Sequence, residues 1–183
     1  MRLDHLVIAV SDLAAPTGYE SIEGGRHPGW GTANRIVPLG DAYLELVAVV
    51  DAAEARESTF GRWVARSDGP MGWAVRTDRI EEVAARLGLT VVDGSRIGRD
   101  GRLLSWRLAG VEQAAAEPLL PFFIQWAPGT PLPGAAAPSE QRIEALELTG
   151  AAERLSAWLG DHRLPVTVRP GPPGVAGVRL TRG

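Results

Sequence analysis

The chain has 183 residues, enough for one ordinary domain or two small ones, and its 45% hydrophobic and 22% charged content is that of a folded protein, not a disordered one. A formal charge of −3 gives no basic footprint for nucleic acid, and no apolar run reaches the ~18 residues a membrane span needs. The absence of cysteine removes disulfides and thiolate metal sites, and a chain that starts directly with a strand is expected in the cytoplasm.

Residues 2–10 form a continuous apolar run, the mark of a strand buried on both faces. Residues 11–22 are expected to hold a short, poor helix, because Pro16 and Gly18 break any longer one. The glycine-rich stretch GGRHPGWG reads as a turn, followed by a strand over 32–39, a Gly40-Asp41 hairpin turn and a strand over 42–50. A helical patch around Phe60, Trp63 and Val64 follows.

A second series then begins. GWAVRT (72–77) reads as a strand, and Asp78 with Glu81 three residues on has the pattern of a capping box. Ile80, Val83, Ala84 and Leu87 make that helix's apolar stripe, and Gly88 ends it. Residues 89–93 are a strand or its beginning, Asp100-Gly101 turns the chain into a strand over 103–108, a loop carrying Pro118 follows, and PFFIQW (121–126) closes the series. After a Pro/Gly/Ala-rich linker over 128–138, a strand, a helix at 152–159 and two further strands begin the unit a third time.

The pattern is strand, helix and three strands, made twice. It predicts an α+β fold of paired βαβββ modules cupped into a mixed sheet, with modules at 1–67 and 68–127 and a C-terminal βαββ extension at 139–183, all in one domain. Polar side chains interrupt otherwise apolar strands at His5, Glu45 and Gln125, and a buried carboxylate such as Glu45 needs a hydrogen bond, a cation or a proton. His5 and Glu45 therefore either share a site or pair structurally; Gln125 either joins them or satisfies backbone.

LDHLVIAVSDL, GGRHPGWGTANRIVPLGDAYLELVAV, GWAVRTD and PFFIQW together resemble the glyoxalase-like domains of the vicinal oxygen chelate superfamily. The resemblance implies a cavity between modules and, in many members, a divalent ion (Zn, Ni, Mn or Fe) held from the first and last strands of each. It assigns His5, Glu45 and Gln125 to ligand positions, with Gly72 where a fourth ligand is expected, and implies no organic cofactor. It also implies a small oxygenated ligand, handled either by a lyase, isomerase or dioxygenase or by a non-catalytic sequestering protein, as monomer or homodimer.

His27 is the candidate base beside Glu45, or else a turn histidine shaping the loop before Pro28. Thr32 and Asn34 share one strand face and either donate hydrogen bonds into the cavity or satisfy the neighbouring turn. Trp73 is a candidate substrate contact or core residue, and Arg107 either meets an anionic substrate or stays at a solvated rim. Arg96, Arg99 and Arg102 read as a solvated hairpin.

Overall fold

The computed structural model describes residues 1–16, 18–98 and 101–182. An eight-stranded sheet runs in the order β2-β3-β4-β1-β5-β8-β7-β6, and a second sheet of three strands in the order β10-β9-β11. In the large sheet the strands are β1 (Arg2–Ala9), β2 (Ile22–His27), β3 (Thr32–Leu39), β4 (Ala42–Val49), β5 (Gly69–Arg76), β6 (Val91–Ile97), β7 (Leu103–Ala109) and β8 (Phe122–Trp126). β1 and β5 lie at the centre and pair antiparallel, while each takes the last strand of its own half in parallel, β1 with β4 and β5 with β8. The two halves therefore repeat one arrangement about the β1/β5 seam, and the sheet curls into the cup expected of paired modules. Central position explains why β1 is apolar on both faces: Leu3 and Leu6 enter one core, Val7 and Ala9 the other.

Those cores lie on opposite faces. Outside the cup, Leu6, Leu44, Trp73 and Phe123 pack under α3 (Ile80–Leu87), α5 (Ala152–Leu159) and the small sheet of β9 (Gln141–Thr149), β10 (Val166–Arg169) and β11 (Gly174–Arg182). Inside it, α2 (Thr59–Ala65), which follows α1 (Ala52–Glu57), brings Phe60, Trp63 and Val64 against Val7, Val47, Ala74 and Leu108.

Several local expectations change. No helix forms among the described residues of 11–21, because the Asp12 side chain accepts the Ala14 N–H in a turn and Gly18 adopts φ 77°. GGRH is strand rather than turn, and the reversal falls at Pro28–Gly31, where Gly29 and Gly31 take positive φ. The capping box does not form: the N-cap of α3 is Arg79, for which no side-chain cap bond is made among the described residues, the Ile80 N–H donates to Gln125 Oε1, and the Glu81 carboxylate meets Arg107. Gly88 ends α3 in the left-handed conformation as its sequence position predicts. The stretch read as a loop before Pro118 contains α4 (Val111–Ala116). The predicted linker carries a short 3₁₀ turn (Pro133–Ala135) whose Gly134 carbonyl accepts the Gly40 N–H, fastening it to the β3/β4 hairpin. Asp100, half of the expected second hairpin turn, lies outside the described residues.

Candidate functional site

Four neighbouring strands of the first half carry one polar strip into the cup. His5 on β1 is diagonal to Glu45 on β4, since Val7 is Glu45's partner. Glu45 is in turn diagonal to Asn34 on β3, whose neighbour in the register is Val47, and Thr32 on β3 pairs with His27 on β2. The period of two along each strand aims all five side chains to one face. All five are buried, and His5, His27, Asn34 and Glu45 line a chamber of about 30 Å³. A void of that size admits on the order of two waters. Trp30, Trp106, Trp126 and His27 also border an open vestibule of about 710 Å³. A ligand can therefore rest its bulk on tryptophan and reach the strip with a small head group.

The hydrogen bonds fix proton positions. The His5 Nδ1–H donates to Asp4 Oδ1 at 2.7 Å, leaving the Nε2 lone pair 3.5 Å from Glu45 Oε2. Asn34 Nδ2 donates to Glu45 Oε1 at 2.5 Å and lies 3.3 Å from His27 Nε2. His27 Nε2 is consequently an acceptor, and its Nδ1–H faces Thr32 Oγ1 at 2.9 Å. Its Nε2 stands 3.6 Å from the same Glu45 oxygen that Asn34 holds. Each carboxylate oxygen thus faces an imidazole lone pair, and the cluster is one proton short of a complete hydrogen-bond set. Asn34 Oδ1, packed against Gly24, is buried without a hydrogen-bond partner among the described residues.

Burial pushes the His27 pKa below its ordinary value of 6.5; the Glu45 charge opposes the shift, and Arg96 and His5 add to it. His27 is therefore neutral at physiological pH. The Tyr43 phenol, stacked on His5 at 4.6 Å, is pushed well upward by burial and by the charges of Asp4 and Glu45, so it stays protonated. The His27 shift has a stability consequence. Below pH 6.5 the unfolded chain takes up a proton that the folded one refuses, so this contribution to stability is complete above 6.5 and is lost as pH falls toward the folded-state pKa. Urea titrations between pH 7.5 and 5 should show a shallower loss for His27→Gln than for the unsubstituted protein; parallel curves would contradict burial as the cause.

Three candidates fall elsewhere. Gln125 does not converge on His5 and Glu45: its Oε1 accepts the Ile80 N–H at 3.2 Å and an Arg107 N–H at 3.1 Å. The reason is strand parity, since the side chains that β8 turns into the chamber are Phe122, Ile124 and Trp126. Arg107 sits on the same outward parity and pairs with Glu81 at 2.5 Å, bordering the vestibule rather than the chamber. Trp73 is buried in the opposite core, its Nε1–H donating to the Leu119 carbonyl at 3.1 Å.

Two residues escaped the sequence reading. Asp4 is the extra residue of a β-bulge, since Leu3 pairs with Val75 and His5 with Ala74; its carboxylate also accepts the Trp126 Nε1–H at 3.1 Å. A second polar residue beside His5 in an apolar strand was its signal. Arg96, expected on a solvated hairpin, is 6% exposed and lines the chamber, with its NH1 donating to the Gly24 carbonyl across the two sheet edges. Alternation against Leu104, Trp106 and Leu108 on the next strand marks it as inward. Arg99 lies outside the described residues.

The donor set does not fit the divalent ion that the resemblance implies. The first half retains His5 and Glu45, but a side chain at Gly72 would overlap the Trp63 ring, and β8 offers Phe122 and Ile124 in place of a ligand. His5 and His27 approach different oxygens of Glu45, and among the described residues no three His, Asp or Glu side chains group as a metal site requires.

The two-halved cup of mixed sheet, with a polar chamber at its base and an aromatic mouth, defines a class of cavity-bearing α+β folds. This chain belongs to the Glyoxalase-like domain family, whose profile matches residues 3–163, in agreement with the resemblance read from its motifs. Its fold is similar to that of a hypothetical protein from Staphylococcus aureus, with a TM-score of 0.77 at 15% identity over 99% of this chain and 91% of the other. A more distant likeness, with a TM-score of 0.47 at 19% identity, links 73% of the chain to 91% of methylmalonyl-CoA epimerase from Mycobacterium tuberculosis. No curated protein matches the sequence. No helix among the described residues is long and apolar enough to cross a membrane.

Proposed function

We propose that the protein binds a small oxygenated molecule with its head group in the chamber, and that Glu45 acts on it as a base. The observation that carries this reading is the Glu45 carboxylate standing between two imidazole lone pairs, 3.5 and 3.6 Å away. When the carboxylate takes a proton from a carbon next to a carbonyl, the C–H electron pair remains on the ligand as an enolate. The new Glu45 O–H then finds an acceptor already in place at His5 or His27 Nε2, which favours the transfer. Return of the proton to the same or a neighbouring carbon completes an exchange or an isomerisation, with nothing else consumed. Asp4 positions His5 by holding its Nδ1–H, and Thr32 positions His27 in the same way. The whole chain acts as one unit in this reading, because a single outer core joins the large sheet to the C-terminal one.

Phenylpyruvate is a suitable probe, carrying an aromatic body, a carbonyl and exchangeable C3 protons. Proton NMR in D₂O should show the protein accelerating loss of the C3 signal over the buffer rate. The hydrocarbon that the second half contributes, Phe122 and Ile124, favours a rival reading as a non-catalytic binding protein. Saturable binding of phenylpyruvate with exchange at the buffer rate would establish that rival.

A further inference from the structure

The geometry points to Arg96 as an anion anchor, so that the ligand of this chamber is a small carboxylate with an apolar body; this rests on the cavity-binding reading above. Arg96 lies on β6 between two exposed residues, Ser95 and Ile97, yet is itself 6% exposed. A guanidinium has five N–H donors. Among the described residues, the hydrogen bond to the Gly24 carbonyl is the one this group makes, and it forms no ion pair with any carboxylate. Other arginines drawn into the fold are better provided for: Arg35 donates twice to Ser21, and Arg76 stands 3.7 Å from Asp4. The remaining N–H groups are not shut away in hydrocarbon, since Asn34 Oδ1 is the one buried side-chain polar atom without a partner among the described residues, and they can turn to a bound anion.

The chamber supplies the rest of the recognition. Arg96 shares it with Glu45, His27 and Asn34, and also forms the wall between it and a second cleft over Leu104 and Leu132. The charge of Arg96 is felt inside, since it holds down the proton affinity of both His27 and Tyr43. About 30 Å³ of free space matches a carboxylate, and Trp30, Trp106 and Trp126 at the mouth suit a flat apolar substituent. Next to the Glu45 carboxyl group a second carboxylate needs a cation beside it, which Arg96 provides. An uncharged isostere gains no charge pairing from it.

Calorimetric titration with phenylacetate and phenylacetamide separates the two cases. The unsubstituted protein should bind the acid at least tenfold more tightly than the amide. Arg96→Met should lose that preference through weaker acid binding while keeping its affinity for the amide, which reports an intact cavity. Arg96→Lys, which retains a charge without the planar fork, should keep part of the preference and serves if the methionine variant does not fold. Equal affinity for the two probes in the unsubstituted protein, or a full preference surviving in either variant, would overturn the anchor and leave the cavity reading standing. Binding of neither probe would remove both.

Discussion

Trp63→Ala should lower the unfolding free energy by about 3–5 kcal/mol, the scale for emptying a large aromatic site in a packed core. The indole is buried to 2% exposure between α2 and the floor of the cup, and its ring lies against the bare backbone of Gly72. Adding even a methyl at that glycine displaces the ring, so Gly72→Ala alone should cost roughly 1–3 kcal/mol as overpacking. The two changes are coupled. In the Trp63→Ala background the added methyl fills part of the void, and the double variant should be less destabilised than the sum of the singles. Strict additivity in denaturant titrations would show that the ring does not exclude a side chain at 72. The pair also puts hydrocarbon where the resemblance expects a fourth ligand from the second half of the sheet.

Glu45→Gln should reduce C3 deuterium exchange into phenylpyruvate by about 10²–10⁴-fold, the usual contribution of a positioned base. The amide matches the carboxylate in shape but accepts no proton. Its NH₂ can donate to the acceptor nitrogens of His5 or His27, so folding should not suffer and the thermal midpoint should hold or rise. Binding of phenylacetate should be unchanged or tighter, because a negative charge has left the chamber while Arg96 remains. Glu45→Ala differs: it strands the Asn34 amide, which now donates to the carboxylate at 2.5 Å, and should therefore destabilise the fold. Loss of binding and exchange together in Glu45→Gln would mean that the carboxylate holds the ligand rather than its proton.

The architecture was legible because strand periodicity and repetition are dense signals. An apolar run at 2–10, a hairpin turn at Gly40-Asp41 and a helix closed by Gly88 place most strands of both halves within a few residues; β2 was missed, because its glycines read as a turn. The first-half cluster was legible in part: His5 and Glu45 each interrupt an apolar strand and Thr32 and Asn34 share one face of β3, while the register of β1, β3 and β4 is what brings them to one face. Gln125 failed on parity, for PFFIQW is apolar on both faces and gives no sign of which residues turn inward. Trp73 failed likewise, being flanked by Gly72 and Ala74 in a strand packed on both sides. Arg96 was invisible as a chamber residue because its burial depends on the meeting of β2 and β6, the two edges of the sheet, about 70 residues apart in the chain. Asp4 needed knowledge of a bulge, which depends on how β1 registers with β5.

The most direct test of a base that works from the first half of the sheet alone is C3 exchange of phenylpyruvate by protein first stripped with a strong chelator. Expected is acceleration at the untreated rate, unaltered by added zinc, nickel, manganese or iron and abolished by Glu45→Gln. Exchange that disappears on chelation and returns with one of those ions would contradict it.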